Sequence, residues 1–114
     1  MTEQHLNDPV TLYVTVPNKE EGIRIGHVLV KSNLVACANV MDNVTSVFSW
    51  QGEIQEEAEA ILFAKTRAGL VENATAIIIT EHEYECPCVV ALPITGGSAE
   101  FIDWIKKETQ PQTG

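Results

Sequence analysis

Val44-Thr45-Ser46-Val47-Phe48-Ser49-Trp50-Gln51-Gly52-Glu53-Ile54 is the stretch that decides the fold. Residues 44–50 are rich in β-branched and aromatic side chains, which suits an extended strand. Gln51-Gly52 then offers a two-residue hairpin turn. The chain resumes at Ile54 and runs to Thr66, acidic at first (Glu53, Glu56, Glu57, Glu59) and apolar at Ile61, Leu62 and Phe63. Upstream, Leu34–Val40 is an apolar strand segment carrying Cys37. Met41-Asp42-Asn43 predicts a bend or bulge between it and Val44. Together these segments predict a long, bent hairpin.

Outward from the hairpin, the remaining elements fall into place. Thr11–Val16 alternates, with Leu12, Val14 and Val16 on one face and Thr11, Tyr13 and Thr15 on the other, the pattern of a half-buried strand. Pro17 ends it. Asn18 followed by Glu21 predicts a capped helix with a reciprocal acidic partner, and Glu20 and Glu21 suit the positive end of the helix dipole. This helix runs to about Asn33 and buries Ile25, Val28 and Leu29, with Gly22 and Gly26 sharing a face for close packing. Arg67–Glu81 predicts a second helix with Leu70, Ala74, Ile77 and Ile78 on one side, although Ile77-Ile78-Ile79-Thr80 alone has strand propensity. Val89–Ile94 is a last core strand, where Pro93 marks an edge or an end. Gly96-Gly97-Ser98 forms a turn and cap, and Phe101, Trp104 and Ile105 line a terminal helix.

The order is β-α-β-β-α-β plus a helix. It predicts an α+β fold: a ferredoxin-like split βαβ sandwich whose two long helices cover one sheet face. Residues 10–109 form the domain, and 1–9 and 110–114 are expected as flexible tails. The other sheet face is left bare, yet Tyr13, Val47, Ile61 and Phe63 make it apolar. Such a face must be covered, and self-association is the simplest cover.

Composition narrows the function. At 114 residues the chain is one domain by length. Its formal net charge of -9 repels phosphate backbones and anionic lipid, so neither nucleic acid nor a membrane surface is an expected partner. No apolar run approaches the ~20 residues of a membrane-spanning helix. Met-Thr-Glu-Gln-His has neither a basic nor an apolar leader region, which predicts a cytoplasmic location. The three cysteines Cys37, Cys86 and Cys88 form no disulfide framework and are expected to be reduced.

Read in order, the motifs Leu34-Val35-Ala36-Cys37-Ala38-Asn39-Val40, Ser46–Glu53, Glu59–Thr66, His82-Glu83-Tyr84-Glu85-Cys86-Pro87, Pro93–Gly97 and Phe101-Ile102-Asp103-Trp104 resemble the CutA family of divalent-cation tolerance proteins. The match runs from about Leu12 to Lys107. The resemblance implies a compact homotrimer of ferredoxin-like protomers, similar to that of PII signalling proteins. It also implies a link to copper and other divalent metals, with no reaction assigned. The chain departs from the family pattern at three places. His82-Glu83-Tyr84 stands where His-Pro-Tyr is usual. Val14 and Glu81 stand where some members carry a Cys and a second His. Among the family's candidate ligands, only Cys37 and His82 match.

The chemistry-bearing residues each have a plainer alternative. Cys37, in an apolar strand, reads first as core filler and second as a soft thiolate ligand. Cys86 and Cys88, two apart in an extended segment, point the same way and would suit Cu(I), or else they are incidental to the Pro87 bend. His82 can bind a borderline metal with Glu81, Glu83 and Glu85 around it, or sit in a solvated acidic turn. Trp50, Glu59, Lys65 and Tyr84 are candidates for a small-ligand cleft between subunits. For Lys65 the plainer reading is an ion pair on the hairpin. For Trp50, as for Trp104, it is a core or interface anchor.

No G-x-S-x-G, Walker A or paired Cys/His nucleophile pattern is present. An acylphosphatase-like activity would want an arginine-lined cradle, and Arg24 and Arg67 are the only arginines. The expected function is therefore non-enzymatic: a homotrimer for divalent-cation tolerance that binds copper or a similar divalent cation weakly, with no essential cofactor. The rival is a PII-like signalling or scaffold trimer that holds a small ligand or a partner protein in its inter-subunit clefts.

Overall fold

The computed structural model describes residues 3–110. The elements are α1 (Glu3–Leu6), β1 (Pro9–Val16), α2 (Lys19–Lys31), β2 (Cys37–Trp50), β3 (Glu53–Arg67), α3 (Val71–Glu81), β4 (Val89–Pro93) and α4 (Ala99–Glu108). A short 3-10 turn, Ala68–Leu70, joins β3 to α3. The four strands form one antiparallel sheet in the order β2-β3-β1-β4. This is the α+β ferredoxin-like arrangement expected from the sequence.

Strands β3 and β1 occupy the middle of the sheet. Val10, Leu12, Val14 and Val16 are buried against the helices, in strict alternation with half-buried Thr11, Tyr13 and Thr15. The core closes with Leu62 and Ala64 from β3, Ile25 and Leu29 from α2, and Ala74 and Ile78 from α3. The three consecutive isoleucines after Ala76 are helical, so packing of Ile78 overrides their strand propensity.

Helix α2 starts where the sequence places it, with Asn18 Oδ1 accepting the Glu21 amide at 2.9 Å. The reciprocal half of the capping box is absent, because Arg24 takes the Glu21 carboxylate. The helix ends two residues earlier than expected. Asn33 adopts φ 58°, and the amides of Leu34 and Asn33 return to the carbonyls of Leu29 and Val30. That is a Schellman stop. Gly22 and Gly26 are buried against the sheet, where a β-carbon on Gly22 would lie 3.0 Å from Val40.

The hairpin is as long as expected, 14 and 15 residues in its two strands. Its register slips between Met41 and Val44, where Asn43 has φ 61°. Gln51 and Gly52 both have positive φ, 52° and 83°, as a type I′ turn requires. The distal part projects beyond the helices, and Val47 and Ile54 are 67% and 82% exposed. The molecule measures 46 × 26 × 24 Å.

Several boundaries differ from expectation. β2 begins at Cys37, because Leu34–Ala36 leave the Schellman stop as a bend that hydrogen-bonds to Lys65 and Thr66 instead of a ladder. Arg67 ends β3 and does not open a helix. Residues 1–9, expected as a loose tail, include helix α1 and Pro9, the first residue of β1. Met1 and Thr2 lie outside the described residues, as does 111–114 of the expected C-terminal tail. In α4 only Ile105 is buried; Phe101 and Trp104 stack on each other at 5.4 Å and remain exposed.

Candidate functional site

Beyond the helix-covered core, the projecting hairpin and the loop after α3 enclose a cleft of ≈ 920 Å³. β1 supplies Tyr13 and Thr15, the hairpin supplies Ser46, Phe48, Trp50, Gln55, Glu57 and Glu59, and the loop supplies Tyr84, Glu85, Cys86 and Cys88. The hairpin residues share one face because the two-residue turn fixes the register: Ser46 lies opposite Glu57 and Phe48 opposite Gln55. All the charged side chains of this lining are glutamates.

The loop is positioned from α3. Arg24 on α2 donates to the Glu81 carboxylate at 2.6 Å and to the Glu81 carbonyl at 2.7 Å, while also holding Glu21 at 2.9 and 3.0 Å. It thereby satisfies a carbonyl at the end of α3 and pins that end to α2. The Glu21 and Glu81 carboxylates push the Arg24 pKa up, and the bond from Arg24 lowers that of Glu21.

His82 follows directly. It is buried, and both ring nitrogens are engaged: Nε2 lies 2.7 Å from the Thr15 carbonyl and Nδ1 accepts the Tyr84 amide at 3.1 Å. A carbonyl only accepts, so Nε2 carries the proton and Nδ1 has none. His82 is thus a bracket that ties the loop to β1, and its ring rests 4.6 Å from that of Tyr84.

Tyr84 in turn donates its hydroxyl to Glu59 Oε2 at 2.7 Å. Burial first, then the bond to Glu59 and the charges of Glu59, Glu57 and Glu83, push the Tyr84 pKa up. The phenol therefore stays protonated and acts as a donor. Glu59 is 8% exposed, and its Oε1 has no hydrogen-bond partner among the described residues.

The structure brings together Trp50, Glu59, Tyr84, Cys86 and Cys88 and separates the other candidates. Both of the latter thiols are exposed on the cleft. Cys37 is half-buried, opposite Lys65 in the sheet. Thr15, which holds His82, lies opposite Ile61. Cys37 thus sits four residues along and two strands across the sheet from His82's anchor, roughly 16 Å. Lys65 is not in the cleft: six residues along β3 from Glu59 is roughly 20 Å, and its ammonium bonds Asn39. Among the described residues no three His, Cys, Asp or Glu side chains are grouped to hold a metal ion. A tight resident metal centre therefore does not fit this chain taken singly.

Sequence reasoning missed Tyr13, Phe48 and Glu57 as cleft residues and Arg24 as the clamp. The first three were legible from parity: with the turn at Gln51-Gly52, Phe48 shares a face with Trp50, and Glu57 with Glu59. Arg24 reaches 57 residues along the chain to Glu81, and no local signal marks that contact.

Comparison with known proteins gives a consistent picture. The family model described as CutA1 divalent ion tolerance protein matches residues 10–108. The chloroplastic protein CutA of Arabidopsis thaliana is 42% identical over 101 residues, covering 89% of this chain and 56% of that protein. The chain thus spans little more than half the length of this plant relative. The crystal structure of CutA1 from Oryza sativa superposes with a TM-score of 0.87 at 39% identity, covering 92% of this chain and 96% of that one. The structure of the periplasmic divalent cation tolerance protein CutA from Archaeoglobus fulgidus gives 0.86 at 33% identity, covering 90% and 99%. The expected cytoplasmic location is corrected by these relatives: one is chloroplastic and one periplasmic, and kinship to them places this chain in no single compartment. With nearly the whole domain matched in both sequence and fold, the chain belongs to the CutA1 divalent ion tolerance family.

Proposed function

We propose that this chain acts in divalent-cation tolerance as a homotrimer, and that it takes copper or a similar thiophilic cation, weakly, at Cys86 and Cys88. One observation carries the reading: two exposed thiols stand on a cleft whose charged lining is entirely acidic. The carboxylates raise the local cation concentration, and the thiols supply soft ligands suited to Cu(I). Two sulfurs with at most a carboxylate beside them make a weak site. His82 would have to give up two hydrogen bonds to join it. The family's name favours tolerance over the signalling-trimer rival.

The test is an anaerobic titration of the reduced protein with Cu(I) against a chromophoric chelator, repeated with Cu(II). The expected outcome is saturable Cu(I) binding that is lost in the Cys86→Ser/Cys88→Ser double variant and kept in Cys37→Ser. Absence of saturable binding at micromolar metal, or binding unchanged in the double variant, would sink the assignment.

A further inference from the structure

Charge is segregated along the sheet face that the helices leave uncovered. Strand parity puts Glu57, Glu59, Ile61, Phe63 and Lys65 of β3 on that face, since Leu62 and Ala64 between them point into the core. Glu57 and Glu59 lie toward the hairpin tip, where Glu85 of the loop joins them and no Lys, Arg or His is present. Lys65 lies toward the other end of β3. The four strands carry two basic residues, Lys65 and Arg67. Arg67 is taken up by Thr109 and Asn7. The Lys65 ammonium meets only the neutral side chain of Asn39 among the described residues.

Glu59 supplies an independent observation. It is buried already in the single chain, Tyr84 occupies its Oε2, and its Oε1 has no hydrogen-bond partner among the described residues. Water still reaches Oε1, because no fully buried side-chain nitrogen or oxygen among the described residues lacks a partner. A copy of the chain closing over this face strips that water and leaves a buried carboxylate that needs a donor. In a closed ring of three the contacts are head to tail, so each junction sets unlike patches against each other. An acidic end and a basic end on one face are such a pair.

We propose that Lys65 of the partner subunit donates to Glu59 Oε1 and so completes the Glu59–Tyr84 pair, an inference that rests on the trimer reading. Glu59 and Lys65 are six residues apart on β3, roughly 20 Å, so they do not meet within one chain. The other lysines are placed less well. Lys19 and Lys31 belong to α2, on the covered side of the sheet, and Lys106 and Lys107 sit in the last turn of α4, where they offset the helix dipole. The chain of bonds from Tyr84 through Glu59 to the partner's Lys65 couples the order of the loop after α3 to assembly.

The test is a double-mutant cycle on the whole chain: wild type, Lys65→Met, Glu59→Gln and the double variant. Association is read by sedimentation over a dilution series at one subdenaturing urea concentration, which leaves charge pairs unscreened, and circular dichroism confirms that each variant is folded. Each single substitution should weaken association about tenfold or more, and the double variant should lose no more than the worse single one. Sites this far apart in one chain act additively, so the coupling arises between copies. Lys65→Met should also raise amide exchange in residues 83–86 of the trimer, while Lys106→Met, an equal charge change, should alter neither association nor exchange. Additive losses in a trimeric wild type, an equal loss in Lys106→Met, or unchanged exchange in 83–86 would overturn the pair and leave the trimer standing. A wild-type chain that remains a monomer would remove both.

Discussion

At Gly22 a β-carbon would stand 3.0 Å from Val40 Cγ1 and 3.3 Å from Val16 Cγ2, both stiff branched side chains. At Gly26 the tightest contact would be 3.3 Å, to the Ala38 methyl. Alanine in place of glycine gains ~1 kcal/mol of helix propensity, while overpacking costs ~1–3 kcal/mol. The cost wins at Gly22 and roughly cancels at Gly26. Urea unfolding should show Gly22→Ala less stable by about 1 kcal/mol and Gly26→Ala within about 0.5 kcal/mol of the parent. A second prediction concerns Tyr84. Its pKa is raised in the fold, so above pH 10.0, the ordinary tyrosine value, the unfolded chain releases a proton that the folded one retains. Stability contributed at lower pH is then lost as pH rises. Tyr84→Phe should flatten the decline in Tm between about pH 10 and 11, and an unchanged alkaline slope would refute the assignment. The sequence announced Tyr84 through its motif but not its partner. Glu59 and Tyr84 are 25 residues apart, and only the fold joins them.

Among the elements, the hairpin was the most legible and the joint between α2 and α3 the least. A two-residue turn with a glycine, flanked by β-branched and aromatic runs, dictates register and therefore which side chains share the cleft. The end of α3 depends instead on Arg24. Glu21 looked like a capping-box acid, because its spacing from Asn18 is right. The long-range competitor Arg24 takes it, satisfying the Glu81 carbonyl as well. This clamp has a pH signature. The Glu21 pKa is lowered from its ordinary 4.5 by the Arg24 bond. Its contribution is present above pH 4.5 and fades as pH falls through the lowered value. Arg24→Met should therefore destabilise the protein at pH 7 and shallow the acid slope below about pH 4.5. It should also raise amide exchange in residues 82–86, whose loop hangs from the pinned helix end. Exchange confined to α2, with that loop unchanged, would mean that Arg24 does not position the site.

For the whole molecule, the sheet poses the remaining problem. Its helix face is sealed, while Val90 and Leu92 on β4 and Met41 on β2 are 47%, 47% and 54% exposed on or beside the other face. The projecting hairpin exposes Val47 and Ile54 as well, but on its other side: Val47, expected on the bare face, pairs with Glu56 and shares the parity of Leu62 and Ala64, which face the helices. That such a face exists was legible from alternation alone: Tyr13, Ile61 and Phe63 are apolar where a solvated face would be polar. Fully burying one Leu or Val side chain contributes ~1.5–3 kcal/mol, and a closed ring of copies repeats that gain in every protomer. The proposed trimer therefore predicts that apparent stability grows with protein concentration. In sedimentation at low micromolar concentration the chain should run at about three times its 12.5 kDa mass, and its Tm should rise with concentration. Leu92→Glu places an unpaired charge on this face and should shift the protein toward the monomer, with a lower Tm at equal concentration. Asp103→Asn, away from the sheet, should change neither. A wild-type chain that sediments as a monomer at tens of micromolar, with a Tm independent of concentration, would leave this apolar face uncovered and remove the trimer from the account.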